Sequence, residues 1–122
     1  MNEILFRGKS KLTGSWVFGD LITKPVHHEC CILENGCINH SVYPESVGQY
    51  TGLNDKNDIK IFKKDILKTE TKKLMIVGWS KKFASFIIQR EDWFFTHWFG
   101  EGLNPKNCEV VGNMIDTPEL IS

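Results

Sequence analysis

The sequence predicts an all-β protein, and three observations carry the prediction. Short runs rich in β-branched and aromatic residues recur along the 122 residues. The links between them are polar and rich in Gly, Asn and Lys, as turns between strands are. Asn35-Gly36 lies between two apolar runs and is the strongest short hairpin signal in the chain.

Taken in order, Glu3 to Gly8 and Ser15 to Ile22 alternate in the manner of two strands joined at Leu12-Thr13-Gly14. Trp16 and Phe18 sit at period two and are expected to face a core. A protruding hairpin follows, with Cys30 to Glu34 and Cys37 to His40 on either side of Asn35-Gly36. In Val47 to Ile66 the runs VGQYTGL and IKIF flank the polar stretch Asn54 to Asp58, the pattern of strand, tight turn and strand. Asp55, Asn57 and Asp58 have the oxygens that calcium loops use, but their spacing is too short and no bidentate acid follows. Residues of these types also bond back to their own main chain in turns, and that is the reading adopted.

Asp65 to Thr69, Leu74 to Trp79, Phe83 to Arg90, Trp93 to Phe99 and Cys108 to Met114 complete the strands. An Asp entering a strand, two hairpin strands and a closing Val-Val-Gly resemble a small SH3-like barrel. The expected architecture is one compact single domain over 1–122, an N-terminal β-hairpin region plus that barrel. A subdivision into hairpins over 1–46 and barrel over 47–122 stays open. Asp116 to Ile121 has the Thr, Pro and Glu of a single helical turn.

Length and composition bound the function. A chain of 122 residues buries a core without metals or disulfides. Fifteen basic against fifteen acidic residues leave no overall attraction to nucleic acid or anionic lipid, so any polyanion site is a local patch. No apolar run reaches bilayer length, and Met1-Asn2-Glu3 leads straight into a strand-like segment. The expectation is a cytoplasmic protein without membrane contact, whose Cys30, Cys31, Cys37 and Cys108 are thiols.

Several segments carry a resemblance. They are Gly48-Gln49-Tyr50-Thr51-Gly52-Leu53, Asp55-Lys56-Asn57, Ile61-Phe62 and Asp65-Ile66 in the centre. Ile4-Leu5-Phe6-Arg7-Gly8-Lys9 and Trp16-Val17-Phe18-Gly19 precede them, and Val111-Gly112-Asn113-Met114 with Pro118-Glu119-Leu120 closes the chain. Together they resemble the YopX family of small phage and prophage proteins from one terminus to the other. There are two departures: Asp58 stands where a Gly is usual, and Lys63-Lys64 where an acidic residue and a Gly are usual. Members of that family are mostly without an assigned activity. The resemblance implies a phage- or prophage-encoded protein in the cytoplasm of a bacterial host.

No motif pairs His27, His28, His40 or His97 with a nucleophile, and no phosphate-binding glycine loop is present, so the expectation is a protein that is not an enzyme and needs no cofactor. Trp79, Phe83, Phe86, Trp93, Phe94, Phe95, Trp98 and Phe99 crowd one stretch, more rings than a small barrel hides. The leading expectation from the rings is therefore stoichiometric contact with a protein partner and self-association into a homo-oligomer, and the resemblance implies a host or phage protein as that partner, with counter-defence as the purpose. Its contact residues are Trp93, Phe95, Trp98 and Phe99, with Lys81 and Lys82 at the rim. A core covered on both sides by the N-terminal hairpins accounts for the same rings without a partner.

One alternative is a nucleic-acid or nucleotide binder, with Lys72, Lys73, Lys81 and Lys82 as a basic patch beside exposed rings. Lysines that protect edge strands account for those residues equally well. A second is a zinc-stabilised hairpin, because His27 and Cys30, and Cys37 and His40, stand three apart on either side of a turn. Strand alternation opposes it, since residues three apart face opposite ways. The default is cysteines packed as small apolar residues and no metal.

Overall fold

The structure, a computed structural model, describes residues 3–24, 29–81, 84–90, 93–98 and 104–121; over 89–90 and 93–98 it describes the strand path. Its strands are β1 (Phe6–Lys9), β2 (Trp16–Lys24), β3 (Glu29–Glu34), β4 (Ile38–Val42), β5 (Gly48–Asn54), β6 (Lys60–Phe62), β7 (Asp65–Lys68), β8 (Leu74–Ser80), β9 (Ser85–Arg90), β10 (Trp93–Trp98) and β11 (Glu109–Asn113). They form two sheets, and every described ladder is antiparallel. The chain divides into two compact units, Met1–Tyr50 and Thr51–Ser122, with the boundary inside β5.

In the first unit, β2 serves two neighbours. Trp16 to Gly19 pair with β1, and Asp20 to Lys24 pair with β3. A Cβ on Gly19 would fall on the Leu33 carbonyl oxygen, so the bend between these halves requires a residue without a side chain. The Asn35-Gly36 turn lies where the sequence puts it, with both residues at positive φ (53° and 69°), the signature of the mirror-image turn that suits a twisted hairpin. The curl then brings β4 back to β1. Tyr43 N–H donates to the Lys9 carbonyl (3.0 Å), Lys11 N–H to the Ser41 carbonyl (2.9 Å), and Ser10 bridges Val42. At this crossing a Cβ on Gly8 would stand 3.0 Å from Val42 Cβ, tighter than packing allows without a shift.

The interior of the curl is made of Val17, Ile32 and Val42, with Phe6, Leu21, Cys30 and Val47 against them. This reverses the expected facing of β2. Val17 is buried, and Phe18, at 43% exposure, looks outward. The inner wall is set by Gly8 and Gly19, which are paired with Val17 and Phe6, and so close an approach of backbones leaves room for valine but not for a second row of rings. Trp16 instead lies under cations, with the Arg7 guanidinium 4.5 Å and the Lys9 ammonium 5.0 Å from its ring centre.

In the second unit the sheet runs β10-β9-β8-β7-β11. Among the described residues no ladder joins its two end strands, β10 and β11. Ile61, Leu67, Val77, Ile88 and Cys108 form the core, with Met75, Phe86 and Val110 against it. Pro118–Leu120 makes the single 3₁₀ turn foreseen for the tail. Gly112 is needed there, because a Cβ would collide with Thr117 Oγ1.

Both departures from the family pattern fall on left-handed backbone: Asp58 has φ 62° and Lys64 φ 79°. Lys64 cannot relax out of it, since its N–H donates to Val77 (2.8 Å) and its carbonyl accepts from Met114 (2.9 Å). A β-carbon in that region costs about 1 kcal/mol. Asp58 suffers less, because Asp tolerates the conformation and its carboxylate accepts from Asn54 Nδ2 at 2.9 Å. Lys64→Gly is therefore expected to stabilise the protein by about 1 kcal/mol, a rise of about 4 °C in Tm by calorimetry. Asp58→Gly is expected to give a smaller gain or none.

Candidate functional site

Of the six contact residues expected from the sequence, four fall among the described residues, on β10 and in the turn after β8. Trp93, Phe95 and Trp98 lie on β10, its end strand, with Trp93 opposite Arg90 and Trp98 opposite Ile87. The register shifts between Trp93 and Thr96, so the strand is irregular through its aromatic centre. Phe99 and Lys82 lie outside the described residues. Lys81 is exposed in the turn after β8.

The sequence reading did not single out Trp79 for contact, yet Trp79 is an exposed ring on β8. It is 43% exposed and packs edge-on against Phe86, its cross-strand partner, with ring centres 5.0 Å apart and planes at 78°. Its place beside the Lys81 turn was the available signal, because a ring next to a hairpin tip has few neighbours to cover it. Trp79 and Phe86 pair across β8 and β9 on one face, whereas Trp98 pairs with Ile87, the next residue along β9, at a position on the other face of the sheet.

The lysines do not make one patch. Lys72 and Lys73 precede β8 and Lys81 follows it, so a seven-residue strand separates them, about 20 Å at the usual rise per residue. The hairpin ligands are separated likewise. Cys30 pairs with Val42 at the open end of the β3–β4 ladder, while Cys37 sits exposed at the turn end. His40 Nε2 lies 3.4 Å from Glu34 Oε1, and His27 lies outside the described residues. Among the described residues no group of three or more His, Cys, Asp or Glu side chains is placed to hold a metal ion.

The central signature turns out to be a hub of backbone anchors. Asp55, 1% exposed, accepts from Asn57 N–H (2.8 Å) and Ile59 N–H (2.9 Å) through Oδ1, closing the turn, and from Val110 N–H (2.9 Å) through Oδ2. Asp65, equally buried, accepts from Phe62 N–H at 2.7 Å. Asn113 Oδ1 accepts from Ile115 and Asp116 N–H at 3.0 and 2.8 Å. Thr51 Oγ1 donates to the Ile61 carbonyl at 2.8 Å. These polar side chains are committed to main chain, and a committed acceptor is not a free base or ligand.

The four cysteines are free thiols. Burial first, then the nearby charges of Glu70 and Asp55, push the Cys108 thiol above its ordinary value of 9.0. It stays protonated and unreactive in the folded protein.

Two outcomes follow. Replacing Asp55 by Ala strands three amides, two in the turn and one on β11, and is expected to cost about 3 kcal/mol or more in urea unfolding. Asp55→Asn keeps one acceptor oxygen and is expected to cost less. In native protein, iodoacetamide is expected to label Cys37 and spare Cys108 by mass spectrometry. The raised Cys108 value also has a sign: above the ordinary thiol range the unfolded chain loses this proton and the folded chain keeps it, so its contribution to stability falls as pH rises.

With this geometry in place, comparison with known proteins is direct. The family model described as "YopX protein" matches residues 5–122. Among solved structures, the crystal structure of protein EF1440 from Enterococcus faecalis superposes with a TM-score of 0.63 at 18% sequence identity, covering 100% of each chain. That likeness concerns the fold. No curated protein matches the chain. The anchors Gly8, Gly19, Asp55, Asp65, Gly112 and Asn113 all fall inside the matched span, and the chain belongs to the YopX family.

Proposed function

We propose that the protein is a non-catalytic binding protein that acts by stoichiometric contact with another protein through the β8–β10 end of its second sheet. The observation that supports this most is Trp79, a large ring left 43% exposed on β8, one strand in from β9 and the end strand β10, whose sequence is Trp-Phe-Phe-Thr-His-Trp. An end strand offers unpaired backbone donors and acceptors, and an exposed ring such as Trp79, packed edge-on against Phe86, offers apolar area of the kind that anchors protein interfaces. Lys81, exposed at the tip, supplies a charged border. The buried carboxylates Asp55 and Asp65 are used up in holding backbone, which favours contact over catalysis. Kinship with small phage and prophage proteins favours a host or phage protein as partner, with counter-defence as the purpose of the contact. A second copy of the chain is an additional occupant of the same surface.

The test is capture from host lysate with the intact protein and with Trp79→Ala and Trp93→Ala/Trp98→Ala variants. Thermal melts of each variant establish that it is folded. A defined partner recovered in fixed ratio and lost by at least tenfold in the variants is expected. Equal recovery by folded variants would remove this surface from consideration. Solution mass by sedimentation reports self-association, which is expected to weaken in the same variants.

A further inference from the structure

The turn end of the second unit holds a polar cavity of about 180 Å³, lined by Lys56, Lys68, Thr69, Lys72, Asn107 and two carboxylates, Glu70 and Glu109. Three independent pieces of chain build it. The Asp55-anchored turn brings Lys56, whose N–H donates to the Cys108 carbonyl at 3.0 Å. The β7–β11 ladder sets Lys68 opposite Glu109. The Thr69–Lys73 turn is closed by Lys72 N–H on the Thr69 carbonyl and Thr69 N–H on the Lys73 carbonyl, both 2.9 Å, with Thr69 Oγ1 accepting from Lys73 N–H at 3.1 Å. That turn holds Lys72 at φ 65°, a conformation lysine seldom adopts.

The charges are unevenly used. Lys56 Nζ meets Glu109 at 3.7 Å, a long and solvent-exposed contact. Among the described residues, neither Lys68 nor Lys72 has a carboxylate within ion-pair distance. Three ammonium groups and two carboxylates, with a hydroxyl and an amide, therefore share one concave wall, which keeps a net positive charge once Glu70 and Glu109 are counted. The excess of ammonium groups favours an anion over a cation, and a volume well under the roughly 300 Å³ of drug-sized sites excludes a large apolar ligand. What complements it is a compact multivalent anion whose oxygens accept from several ammonium groups at once.

We infer that this cavity is a binding site for a small phosphate-type anion, of inorganic phosphate or diphosphate size. Lys68 and Lys72 are its principal charges, Lys56 is recruited from its long contact with Glu109, and Thr69 and Asn107 are neutral donors. The site is separate from the proposed protein contact, because the Thr69–Lys73 turn and the Lys81 turn lie at opposite ends of β8. Failure of either reading leaves the other standing.

The experiment is titration of the full chain with inorganic pyrophosphate, and separately with inorganic phosphate, at constant ionic strength, followed by amide shifts in two-dimensional NMR. Saturable shifts centred on Lys56, Lys68, Lys72 and Asn107 are expected, with pyrophosphate the tighter of the two. Lys68→Ala/Lys72→Ala, which alters exposed side chains only, is expected to weaken binding by about tenfold or more. Glu109→Gln removes the competing carboxylate and is expected to tighten it. Shifts that grow linearly without saturation, that centre elsewhere, or that saturate equally in the wild-type and doubly substituted proteins would overturn the assignment.

Discussion

The buried carboxylate of Asp55 is the constraint on which the second unit depends. One oxygen closes the turn between β5 and β6, and the other reaches Val110 on β11, residues 55 apart in sequence. A turn and a distant strand are thereby fixed by one side chain. Charge-assisted bonds to main-chain amides are the strong kind, and burial makes each of them costly to lose. The neighbouring Lys56 and Cys108 are positioned as a result, one at the surface and one in the core.

This explains why the most recognisable stretch of the chain names a family without naming a chemistry. Gly8, Gly19 and Gly112 mark places where backbone meets backbone or a side chain too closely for a β-carbon. Asp55, Asp65 and Asn113 mark places where amides in turns or at irregular points of strands are met by a side-chain acceptor. Signatures of this kind record how a fold is held, and residues that serve the main chain have little capacity left for a substrate.

Much of the fold was legible in the sequence, because strands and turns are encoded locally. Asn35-Gly36, the polar turn at Asn54 to Asp58 and the 3₁₀ turn at Pro118 to Leu120 are each specified by residues that touch one another along the chain. The facing of β2 was not legible. Trp16 and Phe18 have the period of a core face, but which face is inner was decided by Gly8 and Gly19 and by the curl of β4 onto β1, all remote in sequence. The lysine cluster failed for a related reason: proximity in sequence at Lys72, Lys73 and Lys81 became separation in space once a full strand stood between them. Conversely, Lys56, Lys68 and Lys72 share a cavity that no local pattern announces.

The meeting of β1 with β4 bears on how the first unit is made. Its hydrogen bonds join Lys9 and Lys11 to Tyr43 and Ser41, so the earliest strand waits for some thirty residues of chain before its far edge is satisfied. Closing so long a loop is slow compared with forming the Asn35-Gly36 hairpin within it. During synthesis the ring of Trp16 is laid down early, but the inner face behind it is sealed only when Val42 arrives. The Arg7 and Lys9 cations that lie over that ring come from β1, its immediate hairpin neighbour, so this contact belongs to the early local pairing and not to the last closing step.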